Sequence, residues 1–324
     1  MSLNKICASL KKYNNFLITV HTSPEGDALG SELGFYSLIK KLGKNGTIIN
    51  EDKLPYGYDF LPGSKSIRLL NKGSKNIDFD CFVVLDCADL KRTGDVYRLN
   101  KEKKPVLNID HHISNRNFGD VNWVNPNASS CSEMIYKIFK KLRLPMDKDT
   151  ALVLYTGIMT DTGSFRYSNT SSFTLKSASE LLKFGINAAQ VYRNTYENIP
   201  VYDAKLLLKL LPKIEFHCQG KVVGFQIRKE LIKVKKPSID LADLLLSFGR
   251  AIKGVEVVAL FKENLGDNHE VRVNLRSQGN VDVNKIASFF GGGGHRSAAG
   301  CTLTGKIKKI MKKVIAKIQE SLKL

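Results

Sequence analysis

No two of the six cysteines form a Cys-x-x-Cys pair: Cys7, Cys81, Cys87, Cys131, Cys218 and Cys301 are scattered along 324 residues. That absence removes the usual sign of a thiolate-held zinc or a dithiol redox centre. The cysteines read as reduced core residues of a cytoplasmic protein. Long apolar runs are missing as well. The opening MSLNKICASLKKYNN lacks the continuous apolar core of a signal peptide, and every later apolar stretch is far short of a membrane span. Neither secretion nor membrane insertion is expected. Internal repeats and low-complexity segments are also absent, and a composition of 43% hydrophobic and 25% charged residues excludes a disordered chain or a coiled coil. Acidic residues are in short supply, 31 against 50 Lys and Arg, giving a formal net charge of +19. A surplus of that sign predicts attraction to anions, nucleic acid and nucleotides among them, without specifying any chemistry.

What is present is an α/β rhythm on a length suited to about two domains of ~150 residues. Phe16–Val20, Thr47–Asn50, Cys81–Leu85 and Pro105–Ile109 are short, nearly continuous apolar runs, as strands of a parallel sheet covered on both faces require. Leu29, Leu33, Tyr36, Ile39 and Leu42 recur at helical spacing, and Gly43 closes that helix. Further helices are expected over 132–142, 148–159 and 172–184. Residues 187–211 read as mostly helical with a break at Pro200, and strands are expected at 213–217, 221–227, 255–261 and 270–275. The expected fold is α/β: a mainly parallel N-terminal sheet with helices on both faces over residues 1–186, a helical connector at 187–212, and a smaller mixed-sheet α/β domain at 213–324.

The chain has only six histidines, so the residues beside them are informative. His21 follows the first strand in His21-Thr22-Ser23-Pro24-Glu25-Gly26-Asp27. Asp86 ends the strand at 81–85, Asp110-His111-His112 ends the next, and Asp161 lies in Thr160-Asp161-Thr162-Gly163. Taken singly, each is as easily a helix cap or a solvated charge. Together they sit at the C-terminal ends of strands or in loops, and in an open α/β sheet those ends share the edge where ligands bind. Imidazole and carboxylate without thiolate suit Mn²⁺, Fe²⁺, Zn²⁺ or Mg²⁺, and a two-metal site needs a carboxylate to bridge ions about 3.5–4 Å apart. The inventory is sufficient for two ions.

His21-x-x-Pro24-Glu25-Gly26-Asp27-Ala28-x-Gly30-Ser31, Val84-Leu85-Asp86, Asp110-His111-His112 and Thr160-Asp161-Thr162-Gly163 resemble the ordered motifs of the DHH phosphoesterase superfamily. Gly291-Gly292-Gly293-Gly294-His295-Arg296-Ser297-Ala298-Ala299-Gly300 is similar to the GGGHxxAAG signature of its DHH-associated C-terminal domain. The motifs occur in family order over nearly the whole chain. Length and domain pairing most resemble the bifunctional oligoribonuclease and PAP phosphatase branch, PAP being 3′-phosphoadenosine 5′-phosphate. The resemblance implies one divalent ion on His21, Glu25 and Asp86 and a second on Asp27, Asp86, His111 and Asp161, with Mn²⁺ the first choice for both. It implies that His112 faces the scissile phosphate and that Asp110 orients the histidine pair. The family pattern usually has Asp where this chain has Glu25, a longer carboxylate that can still ligate if the backbone retreats slightly. Two such ions would relieve the repulsion between phosphate oxygens and nucleophile and would acidify a bridging water, the expected source of a hydroxide for in-line attack on phosphorus.

The four glycines read either as a flexible linker or as a loop whose N–H groups approach an anion with no Cβ in the way. The resemblance favours the second, with Gly292, Gly293, Gly294 and His295 as substrate contacts. It also makes Arg276 and Ser277 a phosphate or base contact for a substrate clamped between the domains. Residues 305–324 carry seven lysines and apolar residues spaced by three or four. That pattern fits a helix packed on the second domain with its lysines solvated, or one lying on RNA or a membrane surface. The expected substrates are short RNA oligonucleotides, PAP or dinucleotides, without a membrane partner, and a homodimer is left open. Rival readings are a cyclic or linear dinucleotide phosphodiesterase and a catalytically weak RNA-binding protein.

Overall fold

Alternating strands and helices build the first of two units, Met1–Asn198, in the computed structural model, which describes residues 2–232, 237–264, 269–278 and 281–322. In chain order they are α1 (Ser2–Lys12), β1 (Asn15–Thr19), α2 (Gly26–Lys41), β2 (Asn45–Asn50), β3 (Ile67–Leu69), β4 (Cys81–Leu85), β5 (Val106–Asp110), β6 (Val121–Val124), α3 (Cys131–Leu142), α4 (Lys148–Asp161), α5 (Ser172–Leu182) and α6 (Ala188–Tyr196). The strands form one all-parallel sheet in the order β3-β2-β1-β4-β5-β6. Successive residues of a strand face opposite sides. Phe16 and Ile18 of β1 therefore join the core formed with α1 to α4, whereas Leu17, Phe82 and Val84 pack with Val96 and Tyr97 of the 3-10 segment Leu90–Leu99. Both faces are covered, which explains strands with no alternating polar face.

The strand order reverses between β1 and β4. At such a reversal the loops leaving the two strands diverge and open a crevice at their carboxyl ends. His21 follows β1 and Asp86 follows β4, so the topology places both at that point. A second device brings in the helices. Gly26, Gly30 and Gly34 fall four apart on α2, and a Cβ at Gly30 would lie 2.6 Å from the Val153 carbonyl oxygen of α4. On α4 a Cβ at Gly157 would lie 2.9 Å from Asp27 Oδ1. The two backbones touch, which carries Asp27 near the start of α2 toward Asp161 at the end of α4.

The second unit, Ile199–Leu324, contains α7 (Val201–Leu210), β7 (Glu215–His217), β8 (Val222–Ile227), α8 (Lys229–Ile232), α9 (Leu241–Ala251), β9 (Val257–Glu263), β10 (Glu270–Ser277), α10 (Val283–Phe289), β11 (Gly293–His295), β12 (Ala298–Thr304) and α11 (Ile307–Ser321). Its sheet, ordered β11-β12-β10-β9-β8-β7, is parallel at β8–β9 and antiparallel elsewhere. Side chains of α10 and α11 fill one hydrophobic core and those of α7 and α9 another. Ile307, Ile310, Met311, Val314 and Ile318 of α11 are buried, while Lys308, Lys309, Lys312 and Lys313 are exposed. The apolar face of that helix is thus spent on the core, leaving none for insertion into a membrane; Lys323 and Leu324 lie outside the described residues. Among the described residues no helix is long and apolar enough to cross a membrane.

Candidate metal centre

Asp86 is the hub of the carboxylate and imidazole groups at the sheet edge. It leaves β4 with a left-handed φ of 51°, an uncommon conformation for a residue with a side chain, and its N–H donates to the Ile109 carbonyl at 3.0 Å. Its Oδ2 lies 3.6 Å from His21 Nε2, and its Oδ1 lies 3.4 Å from His111 Nε2 and 3.6 Å from His112 Nδ1. Burial pushes the Asp86 carboxyl up, but the surrounding imidazoles of His111, His21 and His112 overcome it and hold the group well below the usual range. His111 Nε2 also faces Asp161 Oδ2 at 3.7 Å and Asp27 Oδ2 at 3.9 Å. One nitrogen is therefore surrounded by three carboxylates.

Each member is held in place by its own element. Asp27 accepts the backbone N–H groups of Cys131 at 2.6 Å and Ser132 at 2.8 Å, the first two residues of α3, so that helix N-terminus fixes the carboxylate. Asp110 is wholly buried and accepts from His111 N at 2.8 Å, His112 N at 3.3 Å and His112 Nδ1 at 2.7 Å, while its Oδ2 accepts from Asn115 Nδ2 at 2.6 Å. The rings of His111 and His112 lie 4.8 Å apart. Asp161 closes α4, where Asn169 Nδ2 donates to its carbonyl at 3.1 Å and to Oδ2 at 3.4 Å. The sequence reading placed Asp161 in a loop; α4 instead runs two residues beyond Met159.

The donor set fits a divalent cation. His21 Nδ1 donates to the Thr22 carbonyl at 2.7 Å, so the neutral ring turns the lone pair of Nε2 toward the Asp86 carboxylate. Two bases facing each other across 3.6 Å require a cation between them, a proton or a metal ion. Asp86 Oδ1 is buried with no hydrogen-bond partner, an orphan that a ligated ion would satisfy. Burial, reinforced by repulsion from neighbouring carboxylates, pushes both Asp27 and Asp161 above the usual range. Among the described residues two groups bring ligand atoms within 4.8 Å of one another: Asp86 with His111 and His112, and Asp27 with His111 and Asp161. Glu25 belongs to neither. It is exposed at the N-cap of α2 and makes no side-chain capping bond there.

In the second unit the glycine run is a tight hairpin strand. Gly293–His295 pairs with β12, and a Cβ at Gly294 would lie 2.5 Å from the Ala298 carbonyl oxygen. Ser277 donates its N–H to the Ser297 carbonyl at 2.9 Å and its Oγ to the Arg296 carbonyl at 3.3 Å, tying the end of β10 to this hairpin. Arg276 Nη1 donates to the Leu275 carbonyl at 3.2 Å. Asn115 is the positioning residue that the sequence reading missed; nothing distinguishes it there from any other polar loop residue.

The family model described as DHH family, N-terminal domain, matches residues 15–158, and the DHHA1 domain model matches residues 238–320. A bifunctional oligoribonuclease and PAP phosphatase NrnA of Thermus thermophilus is 32% identical over 310 residues, 94% of this chain and 89% of that protein. The protein of the same description from Bacillus subtilis is 26% identical over 302 residues, 92% of each. An exopolyphosphatase-related protein from Bacteroides fragilis superposes with a TM-score of 0.89 at 26% identity, over 100% of this chain and 98% of that one.

Proposed function

The chain belongs to the DHH family and is a hydrolytic phosphoesterase, and from that premise we propose that it cleaves short oligoribonucleotides from an end and removes the 3′-phosphate of PAP. The observation that carries the metal-dependent part is Asp86, a buried carboxylate with an orphaned oxygen amid three imidazoles. The substrate part is supported by the two relatives whose descriptions carry both activities.

Under this reading His21, Glu25 and Asp86 hold one divalent ion and Asp27, Asp86, His111 and Asp161 a second, Mn²⁺ being the preferred metal for such oxygen and imidazole donors. What such ions supply when bound is neutralisation of the anionic phosphate oxygens and a water acidified toward neutral pH. The chain's own groups do the rest. Asp110, itself anchored by Asn115, locks the His112 ring through Nδ1 and leaves Nε2 to face the scissile phosphate as proton donor or charge partner. The second unit contributes Gly292, Gly293, Gly294 and His295 with Arg276 and Ser277 as substrate contacts.

Incubation with Mn²⁺ and a panel of a short RNA such as a trinucleotide, PAP, a cyclic dinucleotide and pyrophosphate tests the reading. Turnover of the first two is expected. Selective turnover of the cyclic dinucleotide would reassign the substrate, and hydrolysis of none would overturn the proposal.

Glu25→Asp supplies the residue usual in the family and a side chain favoured at an N-cap. It is expected to preserve or raise kcat and to add about 0.5–1 kcal/mol of stability if the shorter carboxylate makes the cap bond that Glu25 lacks. A large fall in kcat on the panel would instead mean that the site is built around the longer carboxylate.

A further inference from the structure

Of the three arginines between Asp86 and Asn117, two are tied to carboxylates and the third is not. Arg98 Nε lies 3.2 Å from Asp95 and Arg116 Nη1 lies 2.9 Å from Asp89. The exposed guanidinium of Arg92 makes no ion pair or hydrogen bond among the described residues. Its backbone, by contrast, is firmly placed. The Arg92 carbonyl accepts the Thr22 N–H at 2.7 Å, and its own N–H donates to the Asp89 carbonyl at 2.9 Å. Thr22 adjoins His21, whose Nδ1 donates to the Thr22 carbonyl while Nε2 faces Asp86. Arg92 is therefore anchored through its backbone beside the His21 loop, with its charge within reach of the His21 ring and of the Cys87 thiol next to Asp86.

An arginine on a fixed backbone, with all its fork of donors uncommitted, is suited to a phosphate. The scissile phosphate belongs with the buried ligand cluster around Asp86, of which Arg92 is not a member, so its exposed guanidinium is suited to a neighbouring phosphate. We propose that Arg92 binds the phosphate next to the one that is cleaved, and thereby favours substrates carrying two phosphate groups over single phosphodiesters. The proposal rests on the functional reading above and deepens it. PAP and a 5′-phosphorylated oligonucleotide look unlike at the reacting bond, but both present a second phosphate, and one arginine serves both.

The test compares two dinucleotides that differ only in a 5′-phosphate, following turnover with Mn²⁺ and, in parallel, binding by titration calorimetry. Arg92→Ala is expected to raise KM and Kd for the phosphorylated dinucleotide about ten- to hundredfold, the range of a lost charge-assisted hydrogen bond, and to leave the unphosphorylated one unchanged. Arg92→Lys, which keeps the charge without the fork, should recover part of the loss. The Thr22 bond is made by the backbone carbonyl, so an unchanged Tm is expected for both variants. Equal losses on both dinucleotides, or none on either, would overturn the role of Arg92 while leaving the functional reading intact. Calorimetric discrimination without turnover of either would overturn the functional reading and uphold Arg92 as a phosphate ligand. Binding of neither dinucleotide by the unsubstituted protein would overturn both.

Discussion

Asp86→Asn is expected to lower kcat on a short RNA by more than about a thousandfold while the protein stays folded. Asn is nearly isosteric with Asp and tolerates the left-handed backbone at this position, so the substitution removes charge with little change of shape. It strips the negative partner from three imidazoles at once and leaves one amide oxygen where two carboxylate oxygens faced His21, His111 and His112. If Asp86 is shared by both ions, neither set of ligands survives intact. Thermal unfolding supplies a readout independent of turnover. Mn²⁺ should raise the Tm of the unsubstituted protein, because a ligand that binds only the folded state stabilises it, and should do so far less in the variant. A variant with full turnover would exclude Asp86 from the reaction.

Asp110→Asn is expected to cost about ten- to a hundredfold in kcat, the usual penalty for disturbing a carboxylate that orients a histidine at a metal centre. The reason is specific to its four hydrogen bonds. The Asp110 carboxylate accepts from two backbone N–H groups, His112 Nδ1 and Asn115 Nδ2. In the variant the new amide must point its NH₂ either at Asn115 Nδ2 or at His112 Nδ1, donor against donor in both cases. Leaving a buried donor unpaired costs about 1–3 kcal/mol, so the Tm should fall together with kcat. Unaltered kcat in the variant would mean that Asp110 supports the loop without orienting the chemistry.

Much of the candidate centre was legible because parallel strands buried on both faces must be apolar along their length. Strands β1, β4 and β5 announce themselves by this, and a polar or charged residue at their carboxyl ends stands out; His21, Asp86 and Asp110 to His112 are such residues. Asp161 was legible as a motif and misjudged as structure. Thr160-Asp161-Thr162-Gly163 has the composition of a turn, yet Thr160 and Thr162 bond back to carbonyls of α4 and the chain turns only at Gly163, with φ 54°. The short strands β3 and β6 lie at the sheet edges and are only partly buried, so their pattern is weak. In the second unit β12 escaped notice because small residues replace the β-branched run expected of a strand. It pairs with β10 over seven residues and buries Ala299 and Cys301 beside the glycine hairpin, where larger side chains would collide. Asn115 and Arg92 were not legible at all, since their importance comes from hydrogen bonds between segments far apart in sequence.

The surplus of basic residues, the first positive signal in the composition, is partly explained by placement. Lys308, Lys309, Lys312 and Lys313 of α11 are exposed on a helix whose apolar face is buried, and Asp27, Asp86 and Asp110 are gathered in one buried cluster. Catalysis is assigned to that cluster, so the central claim is that divalent ions bound at Asp86 drive phosphoester hydrolysis. The most direct measurement is an add-back titration of the chelator-treated enzyme: hydrolysis of a short RNA and of PAP, and the ions bound per chain, followed as Mn²⁺ is restored. The account predicts no turnover without the ion, recovery of both activities in step with binding, and loss of both binding and recovery in Asp86→Asn. Full turnover in the chelated enzyme, or recovery undiminished in Asp86→Asn, would contradict it.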